Sequence, residues 1–131
     1  MGIGAQGLPW EDFLEAQGGV GSRLPKNFKT FDFMDGETGV ATSAKTLDTL
    51  TEARINKPKQ IYNTLKGYID KVDKFPGYAL SDVTLSSENI SSRVIQLAIP
   101  NGTNSAGWEQ IDHAIDYAKK LNIKLKVTVD E

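Results

Sequence analysis

The chain contains no cysteine and a single histidine, His113, among its 131 residues. The first absence removes disulfides, thiolate metal sites and a cysteine nucleophile together. The second removes a histidine-built zinc site and any pair of histidines trading protons. No apolar run approaches the roughly 18 residues of a membrane span, and no charged, apolar, small-residue signal segment opens the chain. Basic residues are not in excess either: 15 Lys and Arg face 17 Asp and Glu, a net charge of −2. The overall positive charge that phosphate contacts favour is therefore missing, and any anion-binding surface must come from local clusters.

What is present suits one folded domain spanning residues 1–131. An apolar fraction of 39% argues against disorder, and the length suits one hydrophobic core better than two. Met1 to Gly7 is expected to be a flexible leader or the cut edge of a longer polypeptide. Positive charge gathers in two places. Arg54, Lys57, Lys59, Lys66, Lys71 and Lys74 fall in the middle, and Lys119, Lys120, Lys124 and Lys126 near the end. Either cluster also suits an ordinary solvated helix or strand face.

Periodicity orders the elements. Leu8 to Ala16 predicts a short helix, with Pro9 in its first turn and Gly18, Gly19 and Gly21 after it. Phe28 to Met34 alternates and is rich in aromatics, so it predicts a strand. Asp35-Gly-Glu-Thr-Gly39 supplies the turn, and Val40 to Leu47 the returning strand. Pro58 to Lys74 carries Ile61, Leu65, Ile69 and Val72 at helical spacing. Tyr78 to Leu85 and Ser92 to Ile99 predict two strands joined through Ser86–Asn89, a projecting hairpin. A helix from about Ser105 to Leu121 and a strand from Ile123 to Val129 complete the chain. The expectation is a mixed α/β (α+β) fold: a central mixed sheet flanked by helices.

Strand alternation places Ser43 and Lys45 on one face with Ala41 and Leu47, and places Phe31 and Phe33 together opposite Asp32. A tight hairpin brings Asp32 towards Ser43 and Lys45. Glu11 and Glu15, one helical turn apart, can project into the same space. Carboxylates can hold a divalent cation that acidifies a water and polarises a phosphoryl oxygen, and a lysine can orient that water or stabilise developing charge. Spacing alone does not separate such a site from a surface ion pair.

Longer segments carry a resemblance. Leu24-Pro-Lys-Asn-Phe-Lys-Thr-Phe-Asp-Phe33, Gly39-Val-Ala-Thr-Ser-Ala-Lys-Thr-Leu-Asp-Thr49 and Tyr62-Asn-Thr-Leu-Lys-Gly-Tyr-Ile-Asp70 resemble the C-terminal toxin domains of contact-dependent growth inhibition (CDI) proteins of Gram-negative bacteria. So do Ser92-Arg-Val-Ile-Gln-Leu-Ala-Ile-Pro100 and Trp108-Glu-Gln-Ile-Asp-His-Ala-Ile-Asp-Tyr-Ala118. The similarity runs from about Leu8 to Val129. It implies a core like that of type IIS restriction enzymes and a zinc-dependent DNase. The family's helix glutamate, strand aspartate, and serine and lysine two apart fall on Glu11, Asp32, Ser43 and Lys45, with Glu15 the alternate first acid. Glu11 and Asp32 would be the metal ligands. In the wider restriction-enzyme pattern an acid stands two before the lysine. Here it is Ser43, which leaves one carboxylate fewer for the metal. Ligand chemistry alone favours Mg²⁺ or Mn²⁺, because every candidate ligand is a hard oxygen; the resemblance implies Zn²⁺.

The resemblance further implies a cognate immunity protein, bound in some members by β-augmentation of a hairpin such as Tyr78 to Ile99. It also implies delivery from the producing bacterium's surface, as the end of a larger exported protein, into the target-cell cytoplasm. DNA is the expected substrate, held by the basic residues from Arg54 to Lys66. A tRNase on the same scaffold, or a non-catalytic module recruiting a partner through its hairpin edge, are the rival readings. His113 is expected to be structural or exposed, and Trp10 and Trp108 to be core anchors.

Overall fold

The computed structural model describes residues 7–130. The expected leader therefore lies outside the described residues except for Gly7, where the first helix begins. That helix, α1 (Gly7–Gln17), ends as its glycines require. Gly18 has φ +80°, and its N–H closes the last turn onto Leu14 and Glu15. Gly21 at φ +85° starts β1 (Ser22–Arg23); a Cβ there would sit 2.5 Å from Asp35 Cα, so only glycine lets this strand approach its neighbour.

The hairpin of β2 (Phe33–Asp35) and β3 (Val40–Thr46) follows. Asp35 Oδ1 accepts the N–H groups of Glu37 and Thr38, which tightens the turn as the Asp-Gly-Glu-Thr-Gly segment predicts. Next come α2 (Glu52–Asn56), capped by Thr51, and α3 (Lys59–Asp73). A separate two-stranded hairpin is formed by β4 (Gly77–Leu80) and β5 (Val83–Ser86). Then β6 (Ser92–Pro100), α4 (Ser105–Lys120) with Asn104 as its N-cap, and β7 (Ile123–Asp130) close the chain.

The main sheet has the order β1-β2-β3-β6-β7. Its first two pairings are antiparallel; β3–β6 and β6–β7 are parallel. The sheet is mixed because β3 reaches β6, and β6 reaches β7, through helices, the connection parallel strands need. The near-continuous apolar run of β6 suits a central strand covered on both faces. Ile95, Leu97 and Ile99 meet the buried stripes of α3 (Ile61, Leu65, Ile69) and α4 (Ile111, Ala114, Ala118). Ala98, with Ala44 and Phe33, meets Trp10, Leu14 and Val20 on the α1 side. The architecture is the expected mixed α+β sheet with flanking helices.

Three local expectations change. First, the strand expected over Phe28–Met34 shortens to Phe33–Asp35, because Asn27 and Thr30 both adopt φ +68° and turn the chain. Second, Phe31 and Phe33 do not share a face: Phe31 enters the α3–α4 core and Phe33 the α1 core. Third, Tyr78–Ile99 is not one hairpin. Ser81 and Asp82 both take positive φ and fold Gly77–Ser86 back on itself, a two-residue turn made without the glycine that usually marks it. The second expected arm, β6, is the middle strand between β3 and β7.

Phe33 has no exposed surface and joins α1 to the sheet. Phe33→Ala is expected to lower unfolding free energy by about 3–5 kcal/mol in a denaturant titration. A loss below about 1 kcal/mol would mean that this smaller core does not hold α1 in place.

Candidate functional site

Asp32 sits where β2 and β3 part. Its N–H donates to Thr42 O at 2.9 Å, although Thr42 is the register partner of Phe33, while its carbonyl accepts Leu24 N–H at 2.8 Å from the other side. A regular strand residue points both groups the same way, so the chain bulges here. The carboxylate then does what the interrupted ladder does not: Oδ2 accepts Ala44 N–H at 2.7 Å. The two bonds from Asp32 to β3 thus bracket Ser43.

Helix α1 supplies the second acid. Trp10 is buried with its indole N–H on Gln96 O at 3.0 Å, which fixes the rotation of the helix over β6. Glu11, the next residue, is turned by that anchor towards Asp32, and both line one cavity of about 610 Å³. The Glu11 side chain is 19% exposed and that of Glu15 is 52% exposed. Glu15 does not line the cavity, so the geometry favours Glu11 over its alternate.

Arg23, which no sequence pattern singles out, also lines the cavity. Its guanidinium lies 2.6 Å from Asp12, 3.2 Å from Glu15 and 3.5 Å from Glu11. The Asp12 hydrogen bond, ahead of the opposing burial, raises its pKa above the usual value. Gly21 was the one sequence cue, since it lets β1 approach β2.

On β3, Ser43 and Lys45 share the face of Ala41, as alternation predicts. Lys45 Nζ lies 5.1 Å from the ring centroid of Tyr68 on α3, a cation–π contact that steers the ammonium. Ser43 is fully buried, and its Oγ is without a hydrogen-bond partner. A buried hydroxyl left without a partner costs free energy.

Burial pushes the Asp32 carboxyl up to about 6. The Ala44 N–H opposes the rise, the neighbouring Glu11 charge adds to it, and Lys45 and Arg23 pull it back. An acid with raised proton affinity beside a second acid fits a divalent cation, which would relieve both repulsion and desolvation. Among the described residues no group of three or more His, Cys, Asp and Glu converges. Protein carboxylates would therefore supply two ligands, leaving hydroxyl and solvent oxygens for the rest. His113 is exposed on α4 and takes no part.

Two members of the expected basic cluster have local partners. Arg54 Nη1 donates to Asp48 O at 2.8 Å, and Lys66 pairs with Asp70 at 3.0 Å.

A mixed sheet whose parting strands carry an acid, served by a helix-borne acid and a strand lysine, defines a restriction-endonuclease-like domain. The chain belongs to the family described as CDI toxin restriction endonuclease-like domain, whose model matches residues 6–128. It is 49% identical over 123 residues to Deoxyribonuclease CdiA-o11 of Escherichia coli O157:H7 (strain EC869), covering 94% of this chain and 33% of that protein. It is 46% identical over 123 residues to Deoxyribonuclease CdiA of Yersinia pseudotuberculosis serotype O:3 (strain YPIII), covering 94% of this chain and 11% of that protein. The chain thus spans a minor part of the length of both relatives. The solved CdiA-CT/CdiI toxin and immunity complex from Yersinia pseudotuberculosis aligns with a TM-score of 0.84 and 45% identity, covering 92% of this chain and 98% of that one.

Because the Asp32 pKa is raised from 3.8 to about 6, the folded protein keeps a proton that the unfolded chain has released between those values. Stability therefore falls as pH rises through this window. Asp32→Asn keeps an acceptor for Ala44 N–H and removes the buried charge. Metal-free variant is expected to be more stable than metal-free parent at neutral pH by on the order of 2 kcal/mol, the gap closing towards pH ~4. Thermal melts across that range measure it; a gap independent of pH would sink the account.

Proposed function

We propose that this domain is the DNase toxin of a bacterial contact-dependent growth inhibition system, hydrolysing DNA phosphodiester bonds with a bound divalent cation. The observation that carries the reading is the convergence of Glu11 and Asp32 on one cavity, with the Lys45 charge felt at Asp32. Relatives named deoxyribonucleases support it.

Glu11 and Asp32 would hold the cation: Zn²⁺ by family resemblance, with Mg²⁺ and Mn²⁺ the alternatives that an all-oxygen site favours. When bound, it supplies Lewis acidity to the phosphate and lowers the pKa of water. The protein's own groups do the rest. Ala44 N–H holds the Asp32 carboxylate in one orientation. Lys45, steered by Tyr68, orients the attacking water or stabilises charge on the phosphate. Ser43 Oγ, buried and unpartnered, fits a role in holding that water from behind rather than touching the phosphate.

The domain would be delivered from the surface of the producing cell, as the C-terminal part of a larger exported protein, and act in the target cytoplasm. No helix among the described residues is long and apolar enough to cross a membrane. A cognate immunity protein would neutralise it. The hairpin Gly77–Ser86 forms a sheet of its own, so its outer edges offer backbone groups for β-augmentation.

Purified protein is expected to cut plasmid with Zn²⁺, Mg²⁺ or Mn²⁺, and to lose the activity on chelation. Asp32→Ala and Lys45→Ala should abolish cleavage while circular dichroism stays native. Plasmid cleavage by folded Asp32→Ala protein would refute the assignment. Cleavage of total tRNA but not plasmid would make the domain a tRNase. No cleavage of either under any metal, with a partner still bound by the hairpin, would make it a binding module. Ser43→Ala is expected to slow cleavage about 10–100-fold while leaving stability unchanged or raising it by about 1 kcal/mol, since no bond is lost.

A further inference from the structure

We propose that a second groove, across the 25–30 loop from the acid cavity, binds the nucleic-acid phosphate backbone flanking the bond that is cut. This rests on the nuclease reading above. The groove encloses about 450 Å³, and Lys29, Lys71, Lys74, Tyr78 and Asp70 are among its lining residues.

Its charge is positive. Asp70 is already matched by Lys66 at 3.0 Å and by the Tyr117 hydroxyl at 2.5 Å, and its pKa is lowered, first by the Tyr117 bond and then by Lys66. Among the described residues none of the three lysines is ion-paired. Lys29 Nζ rests 5.2 Å from the Tyr78 ring centroid. The Lys71 and Lys74 side chains suit the dipole at the end of α3, but the helix end does not need them, since Lys74 caps it through its backbone N–H on Asp70 O. The Arg93 guanidinium takes the carbonyls of Val72 and Asp73.

The groove and the acid cavity share a wall. Phe28 lines the cavity, Tyr78 lines the groove, and their rings meet edge-on at 5.1 Å. Thr30, two residues before Asp32, lines the groove as well. The cavity itself has no cationic excess to hold a polyanion, for Glu11 and Asp32 there face Arg23 and Lys26. A polyanion whose reacting phosphate sits beside two carboxylates needs positive charge next door, and these lysines supply it. Phosphate contacts of this kind position the strand without reading its sequence.

The test compares Lys29→Ala/Lys71→Ala/Lys74→Ala with a charge-matched control on exposed residues elsewhere, Lys119→Ala/Lys120→Ala/Lys124→Ala. Lys→Gln versions of the first set serve if the alanine protein melts early. Binding of a short fluorescein-labelled duplex is followed by anisotropy over a salt series. The groove variant is expected to bind about tenfold more weakly at moderate salt, and the slope of log K against log salt to flatten by about two. The control should stay within about twofold. A small p-nitrophenyl ester of thymidine 5′-phosphate, which carries no flanking phosphate for the groove to hold, should be hydrolysed equally by wild type and groove variant. Unchanged duplex binding, equal weakening in the control, or an equal loss on the small ester would each overturn the groove. Failure of the nuclease reading has a different signature: wild-type protein that cuts neither plasmid nor ester. The anisotropy arm judges the groove even then, and wild-type protein that binds no duplex overturns it.

Discussion

The carboxylate of Asp32 stands in for a missing strand residue, accepting the Ala44 N–H where β2 bends away from β3. Much else follows from that substitution. Strands that stayed paired would leave no opening. Strands that parted without a replacement acceptor would leave a buried N–H unsatisfied, which costs about 1–3 kcal/mol. An aspartate at the branch satisfies β3 where its partner strand departs. The same hydrogen bond orients the carboxylate, and its burial, with Glu11 nearby, raises its proton affinity. The structural repair and the raised proton affinity belong to one side chain.

The two cores divide the labour around this branch. The larger one, between the sheet and α3–α4, fixes β3 and β6 in parallel register and carries Tyr68, over which Lys45 lies. The smaller one holds α1 through Trp10, Leu14 and Phe33, and so decides where Glu11 points. The candidate site's groups come from a helix, a bulge and a strand. Two separate packing contacts must therefore succeed before the site exists.

Charge is arranged on the same plan. Overall the chain is slightly acidic, and its three arginines and Lys66 are engaged locally. Arg23 bridges acids of α1, Arg54 binds a backbone carbonyl, Arg93 caps α3 and Lys66 serves Asp70. The lysines bordering the second groove carry no ion pair among the described residues, and they lie one aromatic pair away from the acids. The Gly77–Ser86 hairpin borders the groove through Gly77 and Tyr78.

Proline and glycine signals in the sequence marked α1 and the turn after Asp35, and side-chain patterning was enough to determine α3, α4 and the strands β3, β6 and β7. Each buries a stripe or a face against its neighbours, and that burial leaves a repeat of 3.6 or 2. Alternation likewise placed Ser43 beside Lys45, and spacing together with family resemblance pointed to Glu11 and Asp32. Other features left no periodic trace. The left-handed turns at Asn27, Thr30, Ser81 and Asp82 are made by residues other than glycine, so nothing in composition marked that the strand begins only after Asp32 or where the second hairpin folds. The separation of Phe31 from Phe33, the choice of Glu11 over Glu15 and the presence of Arg23 all arise from contacts between distant segments. A local pattern records which side of its own element a residue occupies; only packing decides what stands on that side.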